Sequence, residues 1–327
     1  MPTVLVTGGA GYIGSHTVLQ LTQRGYRVLV YDNLSSGHAE AVLDPAVLIR
    51  GDLADTQQLD DLIGKESVDS IIHFAADIVV PESVSNPLKY YRNNTVNTTN
   101  LIGLAAKNKV RRFIFSSTAA VYGIPESIPV SEDAAVQPIN PYGRSKLMSE
   151  WVLQDVSRAE PDLTYIILRY FNVAGADPEG RIGQSTPEAT HLIKAACQAA
   201  LGRKDRLHVY GTDYPTPDGT GVRDYIHVTD LADVHVLALE HLGRGNPSGV
   251  YNCGYGHGYS VRQIVEAVGR ASGGPVPVEE TDRRPGDPAE LVADPSLVKA
   301  DLGWRPRFDD IDTIVGSAYA WERNRRF

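Results

Sequence analysis

Hydrophobic positions in the first half of the chain form short β-branched runs that alternate with patterns typical of amphipathic helices. The first run is Val4, Leu5 and Val6. The later runs are Arg27–Tyr31, Ala46–Ile49, Ser70–Phe74, Arg112–Ser116 and Thr164–Leu168. Apolar residues at helical spacing lie between the runs, at about 56–64, 92–108 and 143–157. Alternating strands and helices predict a doubly wound parallel α/β sheet that binds its ligands where the strands end.

The second half of the chain has a different composition. Glycine, proline and aspartate interrupt it repeatedly, as in AGADPEG, GTDYPTPDGTG and TDRRPGDPAE. Helical patterns persist at about 188–200, 229–241 and 260–270. We expect a smaller, mixed α/β C-terminal lobe whose loops cover a ligand. Since no low-complexity linker separates the halves, we expect two interleaved lobes rather than two independent domains.

The turn after the first run is the most informative local motif. In TVLVTGGAGYIG, Gly8, Gly11 and Gly14 stand between a strand and a helical pattern. Glycines in this context allow a sharp turn, close approach of a pyrophosphate and tight packing of the helix on the sheet. Asp32 directly follows the second run and is placed to accept hydrogen bonds from the adenosine ribose and to repel a 2′-phosphate. The sequence therefore predicts a Rossmann-type sheet that binds NAD rather than NADP.

These features divide the chain into a nucleotide-binding and a substrate-binding part. We expect an NAD-binding domain over 1–172, joined by a segment that returns to it at about 222–255, and a substrate lobe over 173–327. Asp52 and Leu53 follow the third run. The carboxylate of Asp52 can accept from the adenine amino group while Leu53 packs on the ring, or it can cap the next helix.

Composition and charge narrow the class of protein further. The 327 residues include 31 Lys and Arg against 40 Asp and Glu, a net charge of −9, which argues against nucleic acid or an anionic membrane as a partner. Cys197 and Cys253 lack the number and spacing for a disulfide framework or a metal site, so free thiols in the cytoplasm are expected. No apolar run approaches the roughly 20 residues that span a bilayer. His73 has no partner at catalytic spacing and is interpreted as structural.

A tyrosine and a lysine four residues apart carry the candidate chemistry. Tyr142 and Lys146 share one face of a predicted helix, and Thr118 lies two residues after the fifth run. A free tyrosine titrates near pH ~10, but a nearby ammonium and a positive nicotinamide ring would both lower its pKa. Tyr142 could then take a proton from a sugar hydroxyl oriented by Thr118, while hydride leaves the same carbon. An amphipathic helix with an exposed lysine is the alternative interpretation.

Longer motifs occur in an order typical of one enzyme family. They include PESVSNPLKYYRNNT, FIFSSTAAVYG, PYGRSKLMSE and DYPTPDGTGVRDYIHVTDLA. Together with the G-x-x-G-x-x-G turn, they resemble the UDP-glucose 4-epimerase family of the extended short-chain dehydrogenase/reductase superfamily. The similarity covers nearly the whole chain, and the last motif is the most specific.

The resemblance implies reversible C4 epimerisation of UDP-glucose and UDP-galactose through a transient 4-keto sugar, with hydride held by tightly bound NAD. It assigns Tyr142 as acid/base, Thr118 as its partner and Lys146 as the group that tunes it. The implied cofactor contacts are Gly8, Gly11, Tyr12, Ile13, Gly14, Asp32, Asn33, Asp52, Leu53, Phe74, Ala75, Ala76, Asn93, Ser116, Tyr142, Lys146 and Tyr170. The implied substrate contacts are Thr118, Asn172, His191, Arg223, Arg284, Asp287 and Leu291.

The chain departs from the family pattern at a few positions. Ile78 stands where well-known members carry lysine, which removes a donor to the cofactor ribose and phosphates. Thr190-His191 replaces a common Asn-Asn pair, and the diphosphate contact is assigned to His191. Leu291 takes the position that often gates the sugar pocket, Tyr or Cys in well-known members. A leucine there predicts good turnover of UDP-glucose and UDP-galactose and weak turnover of N-acetylated sugars.

Other activities are compatible with parts of the pattern. A nucleotide-sugar 4,6-dehydratase needs carboxylates after the strand-end threonine, and this chain has Ala119-Ala120 there. A 4-epimerase of a UDP-N-acetylhexosamine, UDP-pentose or UDP-uronate is an alternative. A non-catalytic NAD-binding sensor is another, although it has no need for the Thr, Tyr and Lys set. Arg223 and Arg284 could instead form surface ion pairs with neighbouring aspartates.

The resemblance also implies a homodimer. The helices predicted around 92–108 and 143–157 would pack as a four-helix bundle across a two-fold axis. Packing within one chain would equally explain their apolar faces. Those faces carry Leu101, Leu104, Ala105, Leu147, Trp151 and Val152.

Overall fold

Short strands and helices alternate along the chain in a computed structural model, which describes residues 2–186, 190–284 and 286–327. The strands are β1 (Thr3–Thr7), β2 (Arg27–Asp32), β3 (Val47–Arg50), β4 (Ser70–His73), β5 (Arg112–Thr118), β6 (Thr164–Tyr170), β7 (Asn172–Ala174), β8 (Leu207–Tyr210), β9 (Val222–Arg223), β10 (Tyr225–His227), β11 (Gly249–Cys253), β12 (Tyr259–Ser260), β13 (Val278–Thr281) and β14 (Glu290–Leu291). The α-helices are α1 (Tyr12–Gln23), α2 (Thr56–Lys65), α3 (Val80–Ser85), α4 (Pro87–Tyr90), α5 (Thr98–Lys107), α6 (Pro141–Ala159), α7 (Leu192–Ala200), α8 (Val228–Gly243), α9 (Val261–Ser272), α10 (Ser296–Asp301) and α11 (Ile311–Arg323). A π-helix spans Tyr91–Asn97, and 3-10 turns span Ala39–Ala41 and Ala119–Val121.

Seven of these strands form one parallel sheet in the order β3-β2-β1-β4-β5-β6-β11. The order reverses at β1, where Thr7 lies opposite Tyr31 on one side and His73 on the other. A crevice opens at such a reversal, outside the carboxyl ends of the strands. The predicted doubly wound α/β fold is therefore confirmed.

Both faces of this sheet are covered by helices. Val4 and Val6 turn toward the face that α1 and α8 cover, whereas Leu5 turns toward the face of α2, α5 and α6. Because both faces are buried, the strands are almost continuously hydrophobic, as parallel sheets require. The fully buried Phe113 and Phe115 of β5 fill the second face.

The C-terminal part is mixed α/β, as expected. Three small sheets occur there: β7 with β10, β8 with β13, and β9 with β12 and β14. Helices α7, α9 and α11 pack on one another. From the stretch predicted to return, α8 packs on α1 and β11 pairs with β6 at the edge of the main sheet. The exact domain boundaries stay a prediction.

Two predicted helices differ in detail from the structure. The pattern at about 92–108 is a π-helix over Tyr91–Asn97 followed by α5. The helix expected at about 188–200 begins at Leu192, and 187–189 lie outside the described residues. Sequence periodicity locates a helix but does not distinguish the wider π turn from the α turn.

His73 ties the centre of the sheet to the helix layer. Its Nδ1 lies 2.6 Å from Oγ1 of Thr7, and its Nε2 lies 2.8 Å from Oγ1 of Thr98. The ring is 1% exposed, and burial lowers the pKa of His73 to about 3. Both nitrogens are therefore used in buried hydrogen bonds, which is the structural role expected.

Buried histidines predict a loss of stability in mild acid. Burial lowers the pKa to about 4 for His16, His191 and His235 and to about 3 for His73 and His227. An unfolded histidine titrates near ~6.5, so on acidification the unfolded chain binds protons that the native state does not. The free energy of unfolding should therefore fall as the pH drops from about 6.5 to about 4, by up to about 1.4 kcal/mol per pH unit for each histidine.

Urea unfolding at several pH values measures this slope. A His73→Gln variant, which keeps polar atoms for both threonines, should show a shallower dependence than the wild type. A free energy of unfolding that stays constant or rises over this acid range would contradict the assignment of neutral buried histidines.

Candidate active site

The glycine turn between β1 and α1 leaves no room for side chains. Gly8 has φ +73°, and a Cβ there would lie 2.6 Å from the backbone nitrogen of Ala75. A Cβ at Gly14 would lie 2.2 Å from the carbonyl oxygen of Gly8. Helix α1 begins directly after Gly11, which makes no side-chain cap, so the first N–H groups of the helix are available to an anion. This glycine cradle, formed by Gly8, Gly11, Gly14 and the first N–H groups of α1, fits a dinucleotide pyrophosphate.

Tyr12 and Ile13 occupy the first turn of α1 beside this cradle. The Tyr12 hydroxyl donates to the carbonyl oxygen of Gly175, 2.6 Å away, and so joins the turn to the C-terminal part of the chain. Burial raises the pKa of Tyr12 well above its usual value. The phenol is therefore a neutral donor that fixes the start of the helix.

Asp32 both stabilises the turn and faces the expected adenosine side. Its carboxylate accepts from the backbone N–H of Ala10 at 2.9 Å and from that of Leu34 at 2.8 Å. Burial raises the pKa of Asp32, and these two hydrogen bonds lower it. Each carboxylate oxygen has a second lone pair, so two ribose hydroxyls could still bind. Asp32 therefore stabilises the turn and can still bind the cofactor.

The loops after β2 and β3 meet beside Asp32. The Asn33 side chain donates to Asp52 over 2.8 Å, and Asp52 also accepts from the N–H of Ala54. The N-cap of α2 is Asp55, so the alternative in which Asp52 caps this helix is wrong. Leu53 is 5% exposed and packs in the hydrophobic core.

A lysine reaches the site from an unexpected position. Ile78 is exposed, and Phe74, Ala75 and Ala76 before it are half-buried at the end of β4. Asn93 donates to Asp77 over 2.9 Å, and the ammonium of Lys89 lies 3.3 Å from the same carboxylate. The sequence indicates that Ile78 replaces a cation. It does not indicate that Lys89 lies near the same loop, because this depends on how α4 folds back toward Asp77.

The candidate catalytic residues meet at the carboxyl end of β5. Asn140 caps α6 by accepting from the N–H of Gly143, 2.9 Å away, which fixes the first turn that carries Tyr142. The side chain of Thr118 lies close enough to Tyr142 to lower the pKa of its phenol, and both residues are less than a tenth exposed. Lys146 is 3% exposed, with Nζ 4.4 Å from the ring centroid of Phe115. The alternative of an exposed lysine is therefore wrong.

The electrostatics of this site differ from the expectation. Burial raises the pKa of Tyr142, and the hydrogen bond from Thr118 is the contact that opposes it. Burial also lowers the pKa of Lys146 to about 7, while the charge of Glu150 raises it. The predicted lowering of the Tyr142 pKa by Lys146 is not found, because removal from water disfavours both the phenolate and the ammonium.

A buried ion pair lies one helical turn behind Lys146. Arg169 donates to Glu150 from Nε at 3.2 Å and from Nη2 at 2.6 Å, with both side chains buried. The Ser117 hydroxyl donates to the same carboxylate, and Arg169 also donates to the Tyr122 hydroxyl over 3.0 Å. Sequence reasoning missed this network, although an arginine inside the hydrophobic run of β6 is a signal for it.

Ser116 and Tyr170 also come together, on the neighbouring strands β5 and β6. Ser116 lies close enough to Tyr170 to lower the pKa of its phenol, and Ser116 Oγ lies 2.7 Å from Nε2 of His235 on α8. His235 carried no sequence signal, since a histidine at an apolar helical position is typical of a core residue.

On the substrate side, Arg223 and Asp287 form an ion pair of 2.5 Å. Leu291 of β14 is in register with Arg223 of β9. The guanidinium of Arg284 lies 3.7 Å from the ring centroid of Tyr210, an aromatic residue that sequence reasoning missed. The alternative of an ion pair therefore holds for Arg223 with Asp287, whereas Arg284 is stacked on an aromatic ring.

Asn172 and His191 line one cavity, beside the buried Lys194 and Glu322. The side-chain amide of Gln184 donates to Nδ1 of His191 over 2.8 Å. Burial lowers the pKa of His191 to about 4, so the ring is neutral at neutral pH. His191 can therefore offer a diphosphate a hydrogen bond but not a charge.

The described ranges hold no metal-binding cluster of three or more His, Cys, Asp or Glu residues. None of their helices combines the length and hydrophobicity needed to span a bilayer.

The fold and site define a nucleotide-dependent enzyme built on a Rossmann-type sheet. The chain belongs to the NAD dependent epimerase/dehydratase family, whose sequence profile matches residues 4–254. It is 56% identical to the UDP-glucose 4-epimerase of Azospirillum brasilense over 99% of this chain and 92% of that protein. The family resemblance and the NAD requirement predicted from the motifs are therefore confirmed.

Solved structures show the same likeness. A UDP-glucose 4-epimerase from Brucella ovis in complex with NAD aligns with a TM-score of 0.95 at 48% identity, over 98% of both chains. The UDP-Glc/GlcNAc 4-epimerase of Campylobacter jejuni aligns with a TM-score of 0.88, also at 48% identity, over 99% of this chain and 100% of that one.

Proposed function

We propose that the protein interconverts UDP-glucose and UDP-galactose by epimerisation at C4, with NAD retained through the cycle. The buried, neighbouring side chains of Thr118 and Tyr142, with Lys146 one turn further along α6, are the observation that carries this proposal. The 56% identity to a UDP-glucose 4-epimerase supports it.

The cofactor site is assigned from the glycine cradle. When bound, NAD supplies the acceptor and donor of hydride for C4. Gly8, Gly11 and the N-terminal N–H groups of α1 would hold the pyrophosphate, and Asp32 the adenosine ribose. Lys146, which is buried beneath the site, would hold the nicotinamide ribose.

Tyr142 performs the proton transfer. When NAD is bound, its positive nicotinamide ring would favour the phenolate, against the burial that raises the pKa of Tyr142. That phenolate would take the proton of the C4 hydroxyl as the C4–H pair of electrons leaves as hydride, which would give the 4-keto sugar. Thr118 would orient that hydroxyl, since its side chain lies next to Tyr142. Return of hydride to the other face of the flat keto sugar, with the proton returned from Tyr142, would give the epimer. The net reaction consumes no cofactor.

The direct assay incubates the purified protein with UDP-galactose, without added NAD, and measures UDP-glucose. Conversion is the expected result. If none occurs even after NAD is added, the proposal fails. Assays with a UDP-pentose and a UDP-uronate would then test the alternative substrates, and inactivity on these as well would favour the NAD-binding sensor.

Leu291 is proposed to limit the sugar pocket. It lies in register with Arg223, a proposed diphosphate ligand, so its side chain sits beside the substrate path. We expect kcat/KM for UDP-N-acetylglucosamine to be roughly 10- to 100-fold below that for UDP-glucose. A Leu291→Cys variant should narrow this ratio, with UDP-galactose turnover as the internal reference. Comparable rates of the wild type on both sugars would contradict this assignment, and they would match the activity named for the Campylobacter enzyme.

A homodimer through the face of α4, the π-helix and α6 is also proposed. Leu101, Ala105 and Leu147, three residues of the predicted dimer face, are buried within the single chain and do not support it. Trp151, however, is 51% exposed, and Leu88, Val96 and Met148 are exposed as well. Such exposed apolar groups on neighbouring helices are typical of an interface.

Trp151→Glu should convert the dimer to a monomer in sedimentation velocity, because it places a charge in the proposed apolar contact. Glu160→Ala, at the end of the same helix, is the control and should leave the mass unchanged. A wild-type protein that sediments as a monomer would contradict the dimer.

The same proposal includes a cytoplasmic location. Both cysteines, Cys197 and Cys253, are buried free thiols, which supports a reducing compartment. The net charge of −9 supports a partner other than nucleic acid.

A further inference from the structure

Phe327 packs against the loop 33–38, called the β2 loop here because it directly follows β2. The centroid of the Phe327 ring lies 5.3 Å from that of His38 in this loop. It also lies 5.3 Å from the ring centroid of Trp321 on α11, in an edge-to-face arrangement. Trp321 is 4% exposed, so the phenylalanine rests on a buried side chain. Phe327 therefore joins α11 to a loop of the proposed cofactor site.

Hydrogen bonds fix the end of α11, from which Phe327 extends. The backbone N–H of Asn324 donates to the carbonyl oxygen of Ala320 over 3.2 Å, and its side-chain amide donates to the same oxygen over 3.1 Å. Arg203 donates to the carbonyl oxygen of Arg323 over 3.3 Å. Phe327 follows this anchored helix end after only three residues, which restricts where its ring can lie.

His38 contacts two further segments besides Phe327. Its backbone N–H donates to the carbonyl oxygen of Ala10 in the glycine turn, 3.0 Å away. Nε2 of its ring lies 3.2 Å from the carbonyl oxygen of Ser185. A Cβ at Gly37 would lie 2.8 Å from the backbone of Ala10, so the two backbones are in direct contact. The position of His38 therefore determines how the β2 loop lies on the glycine turn.

The β2 loop also contains a strained residue. Leu34 has φ +60°, a left-handed conformation that a residue with a Cβ rarely adopts and that persists only where surrounding contacts hold it. The N–H of Leu34 donates to Asp32 over 2.8 Å, and that of Ser35 donates to the side chain of Asn33 over 2.9 Å. Asp32 and Asn33 are proposed cofactor contacts, so a displacement of the loop would disturb them directly.

We propose that Phe327 is a positioning residue for the cofactor: by packing on Trp321 and His38, it holds the β2 loop against the glycine turn and so slows the release of NAD. The inference rests on the NAD site of the proposed function. Phe327 acts through His38 in this arrangement and needs no contact with the cofactor itself.

The test compares Phe327→Ala with Phe327→Tyr, which keeps a ring on His38, and with Arg326→Ala, which removes the exposed neighbouring side chain. One readout is hydrogen–deuterium exchange of the backbone amides in the β2 loop, and the other is the rate at which the holoprotein loses NAD on dilution. In Phe327→Ala we expect both to be faster by about 3- to 10-fold, the value of one aromatic pair. Phe327→Tyr and Arg326→Ala should stay within about 2-fold of the wild type.

A double variant separates action through His38 from a general loss of stability. If Phe327 acts through His38, Phe327→Ala/His38→Ala loses NAD no faster than His38→Ala alone. Additive losses, a wild-type rate of NAD loss in Phe327→Ala, or wild-type exchange of its β2 loop would each overturn the proposal. Should Phe327→Ala not fold, Phe327→Leu, which keeps an apolar side chain without the ring, takes its place.

Failure of the proposed function would be seen separately. NAD retention and amide exchange need no turnover, so a wild type that holds NAD but converts no UDP-galactose refutes the epimerase activity and leaves this test intact. A wild type that binds no added NAD refutes the cofactor site and this inference with it.

Discussion

Replacing Tyr142 with phenylalanine is expected to lower kcat for UDP-galactose by about 10²- to 10⁴-fold, the usual contribution of a positioned acid/base. The substitution removes only the phenol oxygen, and the ring keeps its edge-to-face contact with Tyr90, with ring centroids 6.4 Å apart. The thermal midpoint should match the wild type, and rates are compared per mole of bound NAD because Tyr142 is also an expected cofactor contact. Initial rates, NAD content and thermal midpoint are measured on the same preparation.

The matched control is Tyr165→Phe, a half-buried tyrosine near the start of β6, at the opposite end of the strand from the site. Its kcat should stay near the wild-type value. Turnover by Tyr142→Phe within a few-fold of the wild type would refute the assignment of Tyr142 as the acid/base.

The second large effect concerns stability. Glu150→Gln is expected to lower the free energy of unfolding by about 3–5 kcal/mol, because it leaves the buried charge of Arg169 without its partner. Glu150 and Arg169 are 1% and 7% exposed, and Ser117 also donates to this carboxylate. Urea unfolding at neutral pH gives the difference.

The control is Asp155→Asn on the same helix. Asp155 pairs with Arg158 at 2.8 Å, but both side chains are about three quarters exposed, so solvent screens the pair and no measurable change is expected. If the two substitutions lowered the free energy of unfolding equally, burial would not explain the contribution of the Glu150–Arg169 pair to stability.

Much of the fold follows from local sequence. The β-branched runs at Val4–Val6 and Arg27–Tyr31 are hydrophobic on both faces, which is the pattern of a parallel sheet, and the glycines can be recognised because backbone alone fits between β1 and α1. Tyr142 and Lys146 were found by their spacing on one helix.

What sequence reasoning missed depends on contacts between distant segments. Lys89 reaches Asp77 only through the folding of α3 and α4, and His235 reaches Ser116 across the sheet. Burial likewise is a property of the folded state. It explains why the pKa of Tyr142 is raised rather than lowered by its surroundings.

The most direct test of the account follows the hydrogen at C4. UDP-galactose deuterated at C4 is converted in ordinary water, and the UDP-glucose formed is analysed by NMR. Transfer to a retained NAD and back predicts that the deuterium stays on C4, with no solvent hydrogen incorporated there. Loss of the deuterium to water would contradict hydride transfer and the function proposed from Thr118, Tyr142 and Lys146.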